Sequence, residues 1–540
     1  MNAHRAGSRL WNRLFCAMLI GLLIVFGLVL IRTAWMSDDA YITLRTVDNV
    51  VSGYGLTWNV SERVQAYTHP LWMLVLVASY WLTREAYYTT LLISLVLSLV
   101  TVIVLVSRIA TSVQSAVGAL ISLILSKAFT DYSTSGLENV LTHLLLVVYY
   151  MVFVRWTFSA RKLLVLSFVT ALMMLNRLDA LLFLLPSFAF VLFESRLFLR
   201  ERKSAAIGRI ILGLLPLLIW EGFSLLYYGF FVPNTYFAKL NTGISQSILL
   251  HQGLTYLLQS TRIDPLTTLL IAVGLAVVVW TRSRRNLAIG GGIVLYLLYI
   301  VWIGGDFMSG RFLSAPALGA VVIMSSSGLF RDRFRLACWL AIILFVGLLA
   351  PYAPIPGNKY MKCDAAGIGP SGVADERGCF YEGTGLLKQS KQAPTIPDQG
   401  LARWGLAIRS DPVPVHVMGA VGMYGFFAGP DKHIVDVNAL ADPLMARVPV
   451  PEGRLVRIGH FERLLPGGYL ETLLSGHNRI CNSGLEQYYE HLALITRGEV
   501  FDKARLIAIW KMNTGQLNSL LWSFSPPGND QDLLCNRVVP

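Results

Sequence analysis

The 540 residues are 55% hydrophobic and only 14% charged, against about 25% charged in an ordinary soluble domain. That composition excludes a soluble globular protein and points to a polytopic membrane protein. The formal net charge of +13 does not indicate nucleic acid as a partner, because the basic residues stand in short clusters between apolar runs, as cytoplasmic loops do.

The chain opens with MNAHRAGSRLWNR, a basic segment before a long apolar stretch with no small-residue cleavage site after it. This reads as an uncleaved first helix with a cytoplasmic N-terminus. A bilayer span needs about 20 mostly apolar residues. Candidate runs lie near 12–34, 86–107, 112–130, 139–156, 163–176, 181–199, 208–229, 265–281, 286–303, 312–330 and 336–353, or about 11 transmembrane helices. With this register every loop on one side carries positive charge, from Arg5, Arg9 and Arg13 to Arg331, Arg333 and Arg335. Residues 70–82 are apolar but too short to span. Counting them would invert every later loop, so they read as a juxtamembrane or re-entrant helix.

After Pro354 proline, glycine and charge become frequent and no spanning run follows. The expected organisation is a helical transmembrane domain over 1–353, with its first outer loop at 36–69. An extracytoplasmic soluble domain over 354–540 follows, mixed α/β or β-rich, for which carbohydrate binding is one reading. VPVHVMGAVGM and HIVDVNAL read as strands and 485–496 as a helix. Cys16 and Cys338 fall in apolar runs and are expected as buried thiols. Cys363, Cys379, Cys481 and Cys535 lie in the polar region and suggest two disulfides in an oxidising compartment, with Cys363–Cys379 and Cys481–Cys535 the simplest of three pairings.

The unusual polar clusters all fall in the loops opposite the basic ones: Asp38–Asp39, Ser135–Glu138, Asn176–Asp179, Pro233–Lys239 and Gly304–Arg311. A carboxylate near lipid is costly unless it faces water, a cation or a partner, and acids and bases gathered at one membrane face suggest one site. No Walker-type phosphate loop is present, and Gly53-Tyr54-Gly55 is too short for a dinucleotide fingerprint. Nucleotide sugars are scarce outside the cytoplasm, which leaves a sugar carried on polyprenyl phosphate as the available donor. Its transfer needs a base for the acceptor hydroxyl and positive charge for the departing phosphate. Asp38 or Asp39 suits the first need. His69, Arg177, Lys239 and Arg311 suit the second, and Tyr41, Tyr67, Trp72, Tyr236 and Phe307 offer rings to flank a sugar or prenyl chain. Simpler readings stand beside these. Ser37-Asp38-Asp39 suits a helix cap, Glu138 a helix start, and Arg177 with Asp179 or Asp306 with Arg311 a local ion pair. Lys239 suits a snorkelling lysine, His460 a structural histidine, and Asn59-Val60-Ser61 a chance glycosylation triplet.

The stretch SDDAYITLRTVDNVVSGYGLTWNVSERVQAYTHPLW, from Ser37 to Trp72, resembles the first outer loop of GT-C superfamily glycosyltransferases. In detail it is similar to the arabinofuranosyltransferase B family of mycobacteria and corynebacteria. Ser61 stands where that pattern has glycine. SGLE at 135–138, NRLDA at 176–180, PNTYFAK at 233–239 and GGDFMSGRF at 304–312 also resemble family motifs. So does Asp436-Val437-Asn438-Ala439-Leu440 followed by Arg457-Ile458-Gly459-His460, with Ala439 where glycine is expected. The resemblance implies transfer of arabinofuranose from decaprenyl-phosphoryl arabinofuranose to the arabinan of arabinogalactan or lipoarabinomannan, giving a terminal β-1,2 linkage. The enzyme would sit in the bacterial plasma membrane with its active site and C-terminal domain extracytoplasmic. The family's catalytic acids map onto Asp38 and Asp39, with Tyr41, Arg45, Glu138, Asp179, Asn234, Tyr236, Asp306 and His460 as acceptor-binding or supporting residues. A divalent cation (Mg, Mn or Ca) at Asp38 and Asp39 would suit their hard oxygen ligands. Which acid is base or nucleophile, and whether the course is retaining or inverting, stay open. The alternatives are a GT-C transferase of another sugar or of a protein acceptor such as a pilin, a lipid-linked-sugar transporter, and a structural envelope protein.

Overall fold

The computed structural model describes residues 2–198, 203–240, 242–355, 360–361, 371–451 and 458–522, with backbone alone at 2–16, 195–198, 203 and 522. The chain divides into two compact, interleaved units. One comprises Met1–Ser37, Tyr87–Leu217 and Gln246–Gln389, the other Asp38–Ala86, Leu218–Ser245 and Ser390–Pro540. Neither coincides with 1–353 or 354–540.

The first unit is a bundle of apolar helices. Asn2–Thr33, Tyr87–Val104, Val113–Leu125, Asn139–Arg155, Ala160–Asn176, Ala180–Phe198, Gln246–Ile263, Pro265–Thr281, Arg284–Trp302, Ser314–Ser326 and Arg333–Leu349 account for most of it. Small residues let these helices approach closely. A Cβ at Gly292 would sit 2.0 Å from the Phe183 carbonyl oxygen, and one at Gly274 would sit 2.5 Å from the Ala320 methyl. Helix starts are closed by short polar side chains. Ser112 accepts from the Ser115 N–H, Ser159 from Lys162 and Asp264 from Thr267.

By length and composition, three described helices can cross a membrane: Tyr87–Ile109, Ser204–Tyr227 and Arg284–Trp302. Two helix pairs, Ala17–Thr33 with Asp38–Val51 and Gln246–Ile263 with Pro265–Thr281 (the latter bent by 110°), raise this to five if each is one span. The expected span at 112–130 is not continuous. Val113–Leu125 ends at Ser126, whose backbone turns extended and whose hydroxyl caps the short Lys127–Asp131 helix. At 1.5 Å per residue the first piece is only about 20 Å long. The break serves a buried ion network. Lys127 pairs with Asp131 and lies 2.9 Å from Asp375, and Arg377 reaches Asp131 at 2.8 Å. Cys338 also departs from expectation, being a free and exposed thiol. The side chain of Cys16 lies outside the described residues.

The second unit is assembled around the first loop and the C-terminal region. Among its described residues there is one small sheet, in which Val415–Met418 pairs in parallel with His433–Asp436. The rest is helical, including Gly400–Ile408, Gly422–Ala428, Tyr469–Ser475, Ser483–Arg497 and Lys503–Asn513. This sets aside the β-rich reading; the 415–418 and 433–436 strands fall within the two runs read as strands. The core joins Ile434, Val435, Leu444, Leu485 and Leu492 to Ile42 and Trp58 of the first loop and Phe230 beyond the Lys203–Tyr227 helix. The C-terminal region therefore shares its core with residues drawn from two earlier loops. Residues 70–82 form the expected short helix, Pro70–Thr83, opened by Pro70 and closed at Arg84 in a left-handed conformation.

Candidate active site

The first loop begins as the helix Asp38–Val51, and its two leading acids do different things. The Asp38 carboxylate is buried and accepts from the main-chain N–H of Gly422 at 3.1 Å and of Met423 at 2.7 Å. It closes the start of the Gly422–Ala428 helix, where free N–H groups favour an anion. A Cβ at Gly422 would lie 1.8 Å from the Asp38 carbonyl oxygen. Gly422→Ala is therefore expected to cost about 1–3 kcal/mol, as overpacking does, and to show as a lower melting temperature together with lost activity. Asp39 is the more open of the two. Its Oδ1 faces His460 Nε2 at 4.0 Å, with the side chains 17% and 11% exposed.

Most other residues of the loop motif grip main chain. The Arg45 guanidinium donates to the carbonyls of Trp58 (2.8 Å), Lys432 (2.7 Å) and Gly425, and stacks on the Trp58 ring. Asn59 donates to the Ile434 carbonyl and accepts from the Ile434 N–H, acting as a neighbour to that strand. Its side chain is buried and engaged, so the glycosylation reading is excluded. Glu62 pairs with Arg497 at 3.3 Å, and Arg63 donates to the carbonyls of Tyr227 and Gly498. Tyr41 is fully buried, edge-on to Phe426, which places it in the packing. His69 precedes the Pro70–Thr83 helix, with its Nε2 held 2.7 Å from the Thr43 hydroxyl and Nδ1 3.3 Å from Thr68.

A second set of buried contacts organises the stretch from Asp436 to Arg463. Asn234 donates to the carbonyls of Ala439, Leu440 and Asp442, and accepts from Arg447. Asp436 accepts from the Asn438 and Ala441 N–H groups, and burial pushes its carboxyl up to about 7. Burial also raises Asp442, which accepts from the Tyr469 hydroxyl. Arg463 spans the Val448, Phe461 and Ala238 carbonyls. Lys239 and Tyr236 are exposed on the short Asn234–Leu240 helix. Arg457 lies outside the described residues.

Ala439 has φ +66°, a left-handed conformation that costs an L-residue about 1–2 kcal/mol and glycine nothing. This explains why glycine is expected there. Ala439→Gly gives up a buried methyl, about 0.8 kcal/mol, and about 0.5–1 kcal/mol of backbone entropy. The terms nearly cancel. The melting temperature is expected to stay within experimental error of the parent, unlike other deletions of a buried methyl.

In the first unit, Glu138 is fully buried between two guanidiniums. Arg177 donates to it at 2.7 Å and Arg311 at 3.2 Å. Arg177 also forks onto both oxygens of Asp179 (3.0 and 2.6 Å) and lies 4.8 Å over the Phe312 ring, while Tyr296 donates to Asp179. Burial opposes the Arg177 charge, but Asp179, Tyr296 and Glu138 outweigh it and hold the group more firmly protonated than usual. Arg311 stands 3.7 Å from Asp306. The loop carrying Asp306 is fixed by a bridge between Met308 and Ala374. The SGLE, NRLDA and GGDFMSGRF motifs thus meet in one buried charge network. The first-loop, PNTYFAK and DVNAL motifs meet in the other unit.

Reading the sequence missed Gly422 and Met423, which act through main-chain N–H groups and carry no side-chain signal. It also missed the Lys127, Asp131, Asp375 and Arg377 network, for which a lysine and an aspartate four residues apart at the end of an apolar run were the available clue. Cys379 and Cys481 are disulfide-bonded; Cys363 and Cys535, and with them the pairing, lie outside the described residues. Among the described residues no three His, Cys, Asp or Glu side chains group to hold a metal. Both Asp38 oxygens accept main-chain N–H groups; a hard cation at Asp38 and Asp39 would take its remaining oxygen ligands from water or a phosphate.

No family model matches the chain. The terminal beta-(1->2)-arabinofuranosyltransferase of Mycobacterium tuberculosis is 26% identical over 533 residues, covering 82% of this chain and 83% of that protein. The protein of the same name from Corynebacterium glutamicum is 28% identical over 341 residues, covering 54% of this chain and 48% of its own length. Among solved structures, apo ArnT from Cupriavidus metallidurans matches with a TM-score of 0.50 at 15% identity, over 81% of this chain and 87% of that one. The likeness to ArnT shows the fold alone, a helical architecture shared over most of both chains. The similarity to arabinofuranosyltransferases expected from the first loop extends over most of the chain.

Proposed function

We infer that this chain is a membrane glycosyltransferase that adds a terminal β-(1→2)-arabinofuranosyl residue to a cell-envelope glycan, using a polyprenyl-phosphate-linked donor. The relative from M. tuberculosis, matched over 83% of its length, is the observation that carries this reading. The proposed donor is decaprenyl-phosphoryl arabinofuranose and the proposed acceptor an arabinan chain of arabinogalactan or lipoarabinomannan. The proposed setting is a bacterial plasma membrane, with a cytoplasmic N-terminus and the site outside.

In the reaction the acceptor hydroxyl oxygen bonds to the anomeric carbon of the donor sugar. The bond from that carbon to the phosphate oxygen breaks, the electron pair leaves on the lipid phosphate, and the hydroxyl proton passes to a base. Asp39 is assigned as that base, because it is the more open acid and faces a second proton carrier, His460. Asp38 is assigned to positioning, since its oxygens are committed to the Gly422 and Met423 N–H groups. Lys239, exposed on its helix, is the proposed phosphate ligand of the second unit. His69 is assigned to the donor side, oriented by Thr43. Arg177 and Arg311 are assigned to shaping their loops through Glu138. A divalent cation carries no step here.

The test is a panel of synthetic polyprenyl phosphates carrying labelled arabinofuranose, other pentoses or hexoses, offered to the purified protein with an arabinan oligosaccharide or a pilin-like peptide. Label is expected in the oligosaccharide from the arabinose donor alone. Transfer of another sugar, or transfer to peptide, would replace the sugar or the acceptor in this reading. Movement of the intact lipid-linked sugar across the membrane without glycan growth would replace transfer by transport.

A further inference from the structure

The helix Lys503–Asn513 has two faces, and among the described residues only one of them is buried. Arg505, Ala508, Ile509 and Met512 face inward. The buried Arg505 guanidinium donates to the carbonyls of Leu226 and Tyr227, each at 2.8 Å, and to those of Ile495 and Val500. Asn513 donates to the Gly229 carbonyl at 2.8 Å. These bonds fasten the helix to the last turn of Lys203–Tyr227, whose residues Ser204–Tyr227 are one of the three helices long and apolar enough to cross a membrane.

The opposite stripe faces outward. Leu506 is 42% exposed, Ile507 46% and Trp510 67%, with Phe501 just before the helix at 78%. Positions 503, 506, 507 and 510 share one helical face, so this is a continuous apolar strip with Lys503 and Lys511 at its borders. A surface of this kind in water marks an interaction site. Aromatic and aliphatic side chains edged by lysine form the composition that settles at a bilayer surface, with rings in the headgroup layer and ammonium groups reaching water. Its attachment to the end of a spanning helix selects the occupant.

We propose that the Lys503–Asn513 helix lies in the membrane–water interface, with Phe501, Leu506, Ile507 and Trp510 inserted among the lipids beside the Tyr227 end of the Ser204–Tyr227 span. It ties the Ser483–Arg497 and Lys503–Asn513 helices to the membrane surface at the end of that span. The proposal rests on the membrane setting of that span, and the experiment reports on the span separately.

The full-length protein, reconstituted in phosphatidylcholine–phosphatidylglycerol vesicles, carries the photo-crosslinker benzoylphenylalanine at one of three positions. These are Trp510, Leu212 within the span (57% exposed), and Glu490 on an exposed part of the neighbouring helix. Illumination is expected to give lipid adducts from positions 510 and 212 and none above background from 490. Adducts from 212 but not from 510 would overturn the interfacial helix while leaving the span intact. No adduct from 212 would remove the membrane setting on which the proposal depends. A protein adduct from 510, to a second copy or to the 523–540 segment of the same chain, would show that protein covers the strip and would also overturn the proposal.

Discussion

Asp39→Asn is expected to lower arabinose transfer by about 10²–10⁴-fold, the usual contribution of a positioned general base, while leaving the melting temperature unchanged. The amide keeps the shape of the side chain and removes its basicity. Asp38→Asn should behave differently. The carboxylate at 38 offers an acceptor to each of two main-chain N–H groups. An amide offers one oxygen, and turns its own NH₂ toward the other donor. The loss is expected to be about 1.5–3 kcal/mol, the range for hydrogen bonds to a charged group, so this variant loses stability and activity together. Initial rates and thermal unfolding of both variants separate the roles. Full activity in Asp39→Asn would remove it from the chemistry. A rate loss at unchanged stability in Asp38→Asn would exchange the assignments.

Glu138→Gln carries the largest expected stability effect. Glu138 is fully buried, and its carboxylate stands between Arg177 and Arg311, with Asn176 donating to its carbonyl at 3.0 Å. Removing one charge from such a buried group leaves the others short of compensation and typically costs about 3–5 kcal/mol. The apparent melting temperature, compared at one scan rate, should fall by more than for any exposed charge in the chain. Adding Arg311→Gln to Glu138→Gln should restore part of the loss, since it removes one of the stranded cations. A double variant no more stable than Glu138→Gln alone would show that the acid is not there to balance Arg311.

Much of the helical frame was legible because apolar runs bounded by serine, aspartate and proline declare themselves. The exception at 112–130 is instructive. An apolar run tells where a chain prefers lipid or core, but the break at Ser126 follows from one hydroxyl capping the next helix and from Lys127 finding its acids. The first loop was legible as a motif while its physical task was not. Arg45 reaches the Gly425 and Lys432 carbonyls, and Asn59 the main chain of Ile434, more than 370 positions away. Carbonyl and N–H groups carry no signature in a sequence, so a loop that clamps them looks like a row of catalytic candidates. The same limit hid the Gly422–Met423 donors that hold Asp38. The odd alanine at 439 was visible, and its left-handed backbone supplies the reason a glycine belongs there.

The account turns on whether this chain makes a new glycosidic bond of the stated kind. The most direct measurement reconstitutes the purified protein in vesicles with synthetic decaprenyl-phosphoryl arabinofuranose and a reducing-end-tagged arabinan oligosaccharide, and determines the linkage of the product by NMR. The account predicts an oligosaccharide longer by one arabinofuranose, joined β-(1→2) at its non-reducing end, with free decaprenyl phosphate released in equal amount. An unextended acceptor, or an arabinose joined through another hydroxyl, would contradict it.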